Sequence, residues 1–255
     1  MNNRTALVTG GRRGIGAGIA RRLAATGFDI VVLDLVQDEA AERLADDIIA
    51  AGARCKFVRA DIAAVDQHAT VLDTAWAAFG GIDCLVNNAG IAPPVRGDLL
   101  ELAAENFDRV VAVNLRGTVF LTQGLVRRML AQPATGAARC IINVTSVSAE
   151  LASTERLDYC IAKAGLSMFS KALALRLAAD AIAVFEVRPG IIRTHMTSAA
   201  ADKYQRLIDD GVVPARRWGE ADDVGRIVAG LASGEFAFAS GSVINADGAL
   251  ALPRL

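Results

Sequence analysis

Short apolar runs of strand length and longer segments of helical period take turns along the whole of this 255-residue chain. The strand-like runs are Thr5–Thr9, Asp29–Asp34, Cys55–Arg59, Cys84–Asn87, Arg139–Val144, Ala183–Val187 and Ser242–Ala246. Between them lie segments spaced for helices at Ile15–Thr26, Glu39–Ala51, Gln67–Phe79, Asn106–Leu130, Asp158–Ala179 and Ala221–Ser233. Gly27, Gly52 and Gly80-Gly81 stand where helix C-terminal caps are wanted. Runs such as Ile30-Val31-Val32-Leu33 do not alternate with polar residues, which marks strands covered on both faces and hence a parallel sheet. Such a pattern predicts an α/β fold: one doubly wound parallel sheet of about seven strands, helices on both faces, in a single domain spanning 1–255. Ligands of such sheets bind outside the carboxyl ends of the strands.

Charge and cysteine usage narrow the function classes. The 28 acids and 27 bases nearly cancel, so no electrostatic footprint for nucleic acid or an anionic membrane is expected. No apolar run approaches the roughly 18 residues that a membrane span needs. Met1-Asn2-Asn3-Arg4 leads directly into a strand-like run, so no signal peptide is expected. Cys55, Cys84, Cys140 and Cys160 form no CxxC pair, and His68 and His195 lack ligand spacing, so no metal site is expected and the location reads as cytoplasmic.

The first strand runs into Thr9-Gly10-Gly11-Arg12-Arg13-Gly14-Ile15-Gly16. Glycine at Gly10, Gly14 and Gly16 permits positive φ and close approach of a pyrophosphate, and the helix that follows offers unpaired N–H groups to it. Asp34 ends the second strand about twenty residues on, placed to accept ribose hydroxyls and to repel a 2′-phosphate. Leu35 offers no compensating cation, whereas Arg13 could pair with such a phosphate. Asp34 meets the ribose directly, so NAD is expected and NADP is the alternative. Asp61, followed by Ile62, is placed to accept from the adenine amino group.

Tyr159 and Lys163 are four apart on one helix face. An ammonium beside a phenol is expected to lower the phenol pKa toward neutrality, as general acid–base chemistry requires. Ser146 follows the fifth strand at the ligand edge of the sheet and could stabilise an oxyanion, with Ser148 its competitor. Asn114 lies in the middle of a helical stretch, where its amide needs partners. It is expected either to hold a water that links Lys163 to solvent or to be satisfied locally.

Taken together, these residues resemble the short-chain dehydrogenase/reductase family, and the resemblance extends over essentially the whole chain. It rests on Thr9–Gly16, Asp61, Asn87-Asn88-Ala89-Gly90, Asn114, Ser146, Tyr159 with Lys163, and Pro189-Gly190 through Thr194. It is similar to the 3-oxoacyl-[acyl-carrier-protein] reductase-like members. The resemblance implies a Rossmann-type fold, with Tyr159 as acid/base and Lys163 also holding the nicotinamide ribose. Ser146 would orient the carbonyl and Asn114 would support a proton relay. Asn88, Ala89 and Gly90 would line the adenosine side, and Pro189, Gly190, Ile192 and Thr194 the nicotinamide end. The implied activity is hydride transfer between a nicotinamide and a ketone or secondary alcohol. Alternatives are an NADPH-dependent 3-oxoacyl thioester reductase and a catalytically silent dinucleotide-binding regulator.

Some features set the chain apart. Glu150 and Leu151 replace the small residues common after the serine, and Ala131–Ala138 is longer and less basic than expected for acyl-carrier-protein reductases. Residues 193–215 read as a substrate-covering loop without secondary structure, carrying Arg193, His195, Lys203 and Tyr204. The helix Asp158–Ala179 is apolar almost all round, so one side should face the sheet and the other a second subunit, in a homodimer or homotetramer.

Overall fold

In the computed structural model, which describes residues 4–132, 137–198 and 200–254, one parallel sheet runs through the molecule. Its strands are β1 (Arg4–Thr9), β2 (Phe28–Asp34), β3 (Cys55–Arg59), β4 (Cys84–Asn87), β5 (Arg139–Val144), β6 (Ile182–Pro189) and β7 (Val243–Ala246), ordered β3-β2-β1-β4-β5-β6-β7. The order reverses between β1 and β4, which opens a crevice at the carboxyl ends of those two strands.

Side chains alternate along each strand, so each sends every second residue to one face. Ala6 and Val8 of β1 join Ile30 and Val32 of β2 under α1 (Gly14–Ala25), α2 (Glu39–Ala50) and, further along the chain, the helix at Ala221–Ala232. Leu7, Val31 and Leu33 point the other way, into a core completed by Leu72 of α3 (His68–Phe79) and, later in the chain, by Leu121, Leu125 and Leu177. Both faces are therefore dry, as the unbroken apolar runs require.

The stretch expected as one helix from Asn106 to Leu130 is three segments. They are α4 (Ala104–Val111), a π-helical segment at Ala112–Gly117 and α5 (Thr118–Ala131). Gly117 explains the interruption: a Cβ there would lie 2.2 Å from the carbonyl oxygen of Ile62, so the chain passes close to that loop only as glycine. Next comes α6 (Leu157–Leu177), which carries Tyr159 and Lys163.

The segment 193–215 departs from expectation. It contains a short helix, α7 (His195–Ser198), and the amphipathic α8 (Ala201–Asp209). Ile208, Val213 and Trp218 form a small buried cluster beneath α8, and the Tyr204 and Trp218 rings meet edge to face at 6.0 Å. An apolar stripe on a polar helix carries little signal in the sequence. Beyond it lies α9 (Ala221–Ala232), opened by a reciprocal Glu220/Asp223 capping box. Of the segment Ala131–Ala138, residues 133–136 lie outside the described residues, as does the start at Met1–Asn3. No helix among the described residues is long and apolar enough to cross a membrane.

Candidate functional site

The turn after β1 is built so that only glycine fits. Gly10 and Gly14 have φ of +62° and +57°. A Cβ on Gly16 would lie 2.2 Å from the Gly10 carbonyl oxygen, so α1 starts directly against the turn. Asn88, just past β4, donates from Nδ2 to the carbonyls of Thr9 and Gly10, each at 3.0 Å. Thr9 Oγ1 in turn accepts from the N–H groups of Asn88 and Ala89. The glycine turn and the Asn88–Gly90 loop are thus one hydrogen-bonded unit across the crevice. Arg13 precedes α1 without a side-chain cap, which leaves the first N–H groups of the helix for an anion. A dinucleotide's pyrophosphate fits this cradle. Ile15 packs partly buried against the core behind it.

Asp34 sits at the end of β2 and holds the turn: its Oδ2 accepts from Arg12 N–H at 3.1 Å and its Oδ1 from Leu35 N–H at 2.8 Å. The Arg12 guanidinium folds back onto Asp34 and Asp38, while Arg13 and Leu35 are exposed. Asp61 caps its own turn by accepting from Ala63 N–H at 2.8 Å and is exposed. Ile62 is buried in the core, and its carbonyl accepts from His68 Nε2.

At the far end of the crevice, a Cβ on Gly14 would come within 3.5 Å of Thr194 Cγ2, so Thr194 abuts the glycine turn. Its N–H donates to Thr197 Oγ1. Pro189 ends β6, and Gly190 is required because a Cβ there would lie 2.7 Å from Asp247 Cβ. Ile192 is buried, bridging to Gly219.

Ser146, Tyr159 and Lys163 converge beside this end. Ser146 Oγ accepts from Ser148 N–H at 3.1 Å and lies near enough to the Tyr159 phenol to pull its pKa down. Lys163 Nζ lies 5.7 Å from the Tyr159 ring centroid and donates to the Val144 carbonyl at 3.1 Å, at the end of β5. A Cβ on Gly90 would be 3.7 Å from that Nζ, which ties the loop after β4 to the same spot.

The electrostatics differ from the sequence expectation. The phenol is not made acidic: burial raises its pKa above the ordinary tyrosine value, and the Ser146 hydrogen bond and then the Arg156 cation pull it only part of the way back. Burial also drives the Lys163 ammonium down to about 8, with Glu186 opposing. Desolvation penalises the charged form of either group: Lys163 is buried and Tyr159 partly so.

Asn114 is tied to the loop after β4. Its Oδ1 accepts from Ile91 N–H at 2.7 Å and its Nδ2 donates to Ile91 C=O at 3.0 Å. The amide clasps the loop after Gly90. The π-helical segment, a feature that recurs at functional sites, is what places it there.

Three residues escaped the sequence reading. Arg156 lies 5.7 Å from the Tyr159 ring centroid and donates to Ser148 Oγ at 3.3 Å. Glu186 and Arg188 sit beneath the site, where their place in a strand expected to be apolar gave the signal.

Comparison with known proteins agrees with this architecture. The family described as "Enoyl-(Acyl carrier protein) reductase" matches residues 10–250. A 3-oxoacyl-[acyl-carrier-protein] reductase of Staphylococcus epidermidis is 33% identical over 249 residues, covering 97% of this chain and 99% of that protein. The crystal structure of a 3-oxoacyl-[acyl-carrier protein] reductase from Brucella melitensis in complex with NAD is 55% identical, covers 100% of both chains and superposes with a TM-score of 0.97. A putative 2-deoxy-d-gluconate 3-dehydrogenase from Agrobacterium tumefaciens with bound NADP is 30% identical, covers 98% of this chain and 97% of its own, with a TM-score of 0.86. The chain belongs to the short-chain dehydrogenase/reductase family, whose members are NAD(P)-dependent oxidoreductases acting on carbonyl and alcohol groups.

Proposed function

We propose that this protein interconverts a polar ketone and its secondary alcohol, using NAD(H), with Tyr159 as the proton-handling catalytic residue. The observation that carries the reading is the meeting of Ser146, Tyr159 and Lys163 at the sheet edge, beside a glycine turn that admits a dinucleotide. The nicotinamide, when bound, supplies or accepts the hydride. Ser146 and Tyr159 hydroxyls hold the carbonyl oxygen, and Tyr159 gives it a proton as negative charge develops. A phenol whose pKa is raised by burial is fully protonated at neutral pH, which suits it to act as the acid in reduction. Lys163 steadies the phenolate left behind and holds the ribose, and Asn114 fixes the Gly90–Ile91 loop against them.

NAD is favoured by Asp34 and by Arg12, whose cation is already neutralised by Asp34 and Asp38 and so is poorly placed to meet a 2′-phosphate. The NAD complex of the 55% identical relative supports the same choice. The 3-oxoacyl thioester reading rests on the names of relatives. The mouth carries cations: Lys203, and then Arg96 and Arg156, hold the Glu155 carboxylate below the usual range. That field favours a compact polar or anionic ketone.

Self-association belongs to the same reading. Ile161, Met168 and Leu175, spaced by seven along α6, remain exposed, with Leu175 at 83%. An apolar stripe of this kind fits the same helix of a second copy. A cytoplasmic location accords with four free cysteines.

The test is a panel of ketones, sugar acids and an acetoacetyl thioester, assayed by nicotinamide absorbance with NADH and with NADPH. Tyr159→Phe should lower kcat/KM roughly 10³-fold while NADH still binds. Near-parental turnover by that variant would remove Tyr159 from the chemistry.

A further inference from the structure

Beneath the site lies a charged cluster that the proposed chemistry does not use. Glu186 is 1% exposed, in a strand otherwise apolar toward the sheet interior. Its carboxylate accepts from Thr145 Oγ1 at 2.7 Å, Ser167 Oγ at 2.8 Å and Arg188 Nε at 2.7 Å. Arg188 also donates from Nη2 to Ser167 Oγ at 2.9 Å and from Nη1 to Glu150, the residue that replaces a small one after the serine. Three donors meet this buried carboxylate, as burial of a charged group requires.

Each member of the cluster adjoins a residue of the site. Thr145 lies between Val144, whose carbonyl receives Lys163 Nζ, and Ser146. Ser167 is one helical turn beyond Lys163 on the same face of α6. The β5–β6 register sets Glu186 beside Asn143 and Val187 beside Val144, so the carboxylate lies one step below the lysine contact. Lys163 is 3% exposed, and its ammonium needs an anion. The charged and titratable groups around it can be taken element by element. On α6 itself are the Tyr159 phenol, protonated at neutral pH, and Asp158, five residues earlier on a different side of the helix. The π-helical segment and the loop after β4 supply only the neutral Asn114 and Gly90. The loop after β5 supplies Glu150, and β6 supplies Glu186 and Arg188. Arg188 alone would neutralise Glu186. Glu150 engages the outer side of Arg188, so the two cations, Lys163 and Arg188, balance the two anions, Glu186 and Glu150.

We propose that Glu186, backed by the Arg188–Glu150 pair, is a positioning residue that keeps Lys163 protonated and fixes it relative to Ser146. The proposal rests on the reading of Lys163 as the working cation. The direction of the lysine's own titration agrees: burial lowers it and Glu186 raises it.

The chain has four lysines, Lys56, Lys163, Lys171 and Lys203, so ¹³Cε-lysine labelling gives four signals that can each be followed with pH. In the unaltered protein the Lys163 signal should titrate near 8. Glu186→Gln keeps shape and removes charge, and should lower that midpoint by about one pH unit. Arg188→Gln should raise it. Glu150→Gln, at an exposed position that leaves folding intact, should lower it by less and serves if the buried variants do not fold. The alkaline limb of kcat/KM for ketone reduction should move with the signal. A Lys163 midpoint unchanged in both Glu186→Gln and Glu150→Gln, or one moved the same way by Arg188→Gln as by Glu186→Gln, overturns the proposal. The titration needs no turnover, so it stands or falls separately from the catalytic role of Tyr159.

Discussion

At Tyr159 and Lys163 the two partners titrate in opposite directions, and the pH behaviour follows from that. The phenol keeps its proton past the ordinary tyrosine value, while the lysine loses its own near 8. Reduction should therefore run on a plateau below about pH 7.5 and decline as Lys163 deprotonates. Alcohol oxidation, which needs the phenol to shed a proton, should instead rise through the neutral range; initial rates in both directions from pH 6 to 9.5 check this. The same shift enters stability. The folded chain binds fewer protons at Lys163 than the unfolded chain between about 8 and the ordinary lysine value near 10.4, so this group's contribution rises with pH across that window. At Asp34, replacement by Ser removes the carboxylate proposed to accept the ribose hydroxyls and the anion beside Arg12. The ratio of kcat/KM for NADH over NADPH should fall about tenfold or more, equivalent to some 1.4 kcal/mol. Residue identity was legible here because glycines, Asp34, Ser146, Tyr159 and Lys163 stand at spacings that a strand–turn–helix frame interprets. The sign of the phenol shift was not legible, because burial outweighs a helix neighbour and burial is a property of packing.

Among the elements, strand positions followed from apolar runs, since a residue buried on both faces leaves an unbroken pattern. Helix continuity did not. The π-helical segment between α4 and α5 is dictated by the approach of Gly117 to Ile62, a contact between residues 55 apart that periodicity along one stretch does not encode. Likewise α8 is amphipathic only relative to Trp218 and Val213, which come after it. The exposed stripe on α6 was visible as an excess of apolar residues. Leu175→Lys should reduce the mass measured by light scattering toward that of one chain, and an unchanged mass would locate any interface elsewhere. A substitution at Gly16 tests the glycine turn. Gly16→Ala must displace the Gly10 carbonyl, and NADH binding read by fluorescence should weaken at least tenfold while the far-ultraviolet circular dichroism is retained.

For the whole molecule, one contact joins the beginning of the chain to its last third. On the face of the sheet that they share, α1 and α9 touch backbone to backbone. A Cβ on Gly18 would lie 2.7 Å from the Ala221 carbonyl oxygen, and one on Gly225 2.7 Å from that of Gly18. Arg22 and Asp222 pair across the same seam. Gly225→Ala should cost about 1–3 kcal/mol in urea denaturation, because neither backbone has room to yield. There is a dynamic corollary. With the two backbones in direct contact at Gly18, α1 and α9 should move as a single body. A nucleotide that stiffens the start of α1 should therefore slow amide exchange across Ala221–Ala232, a region that never meets it.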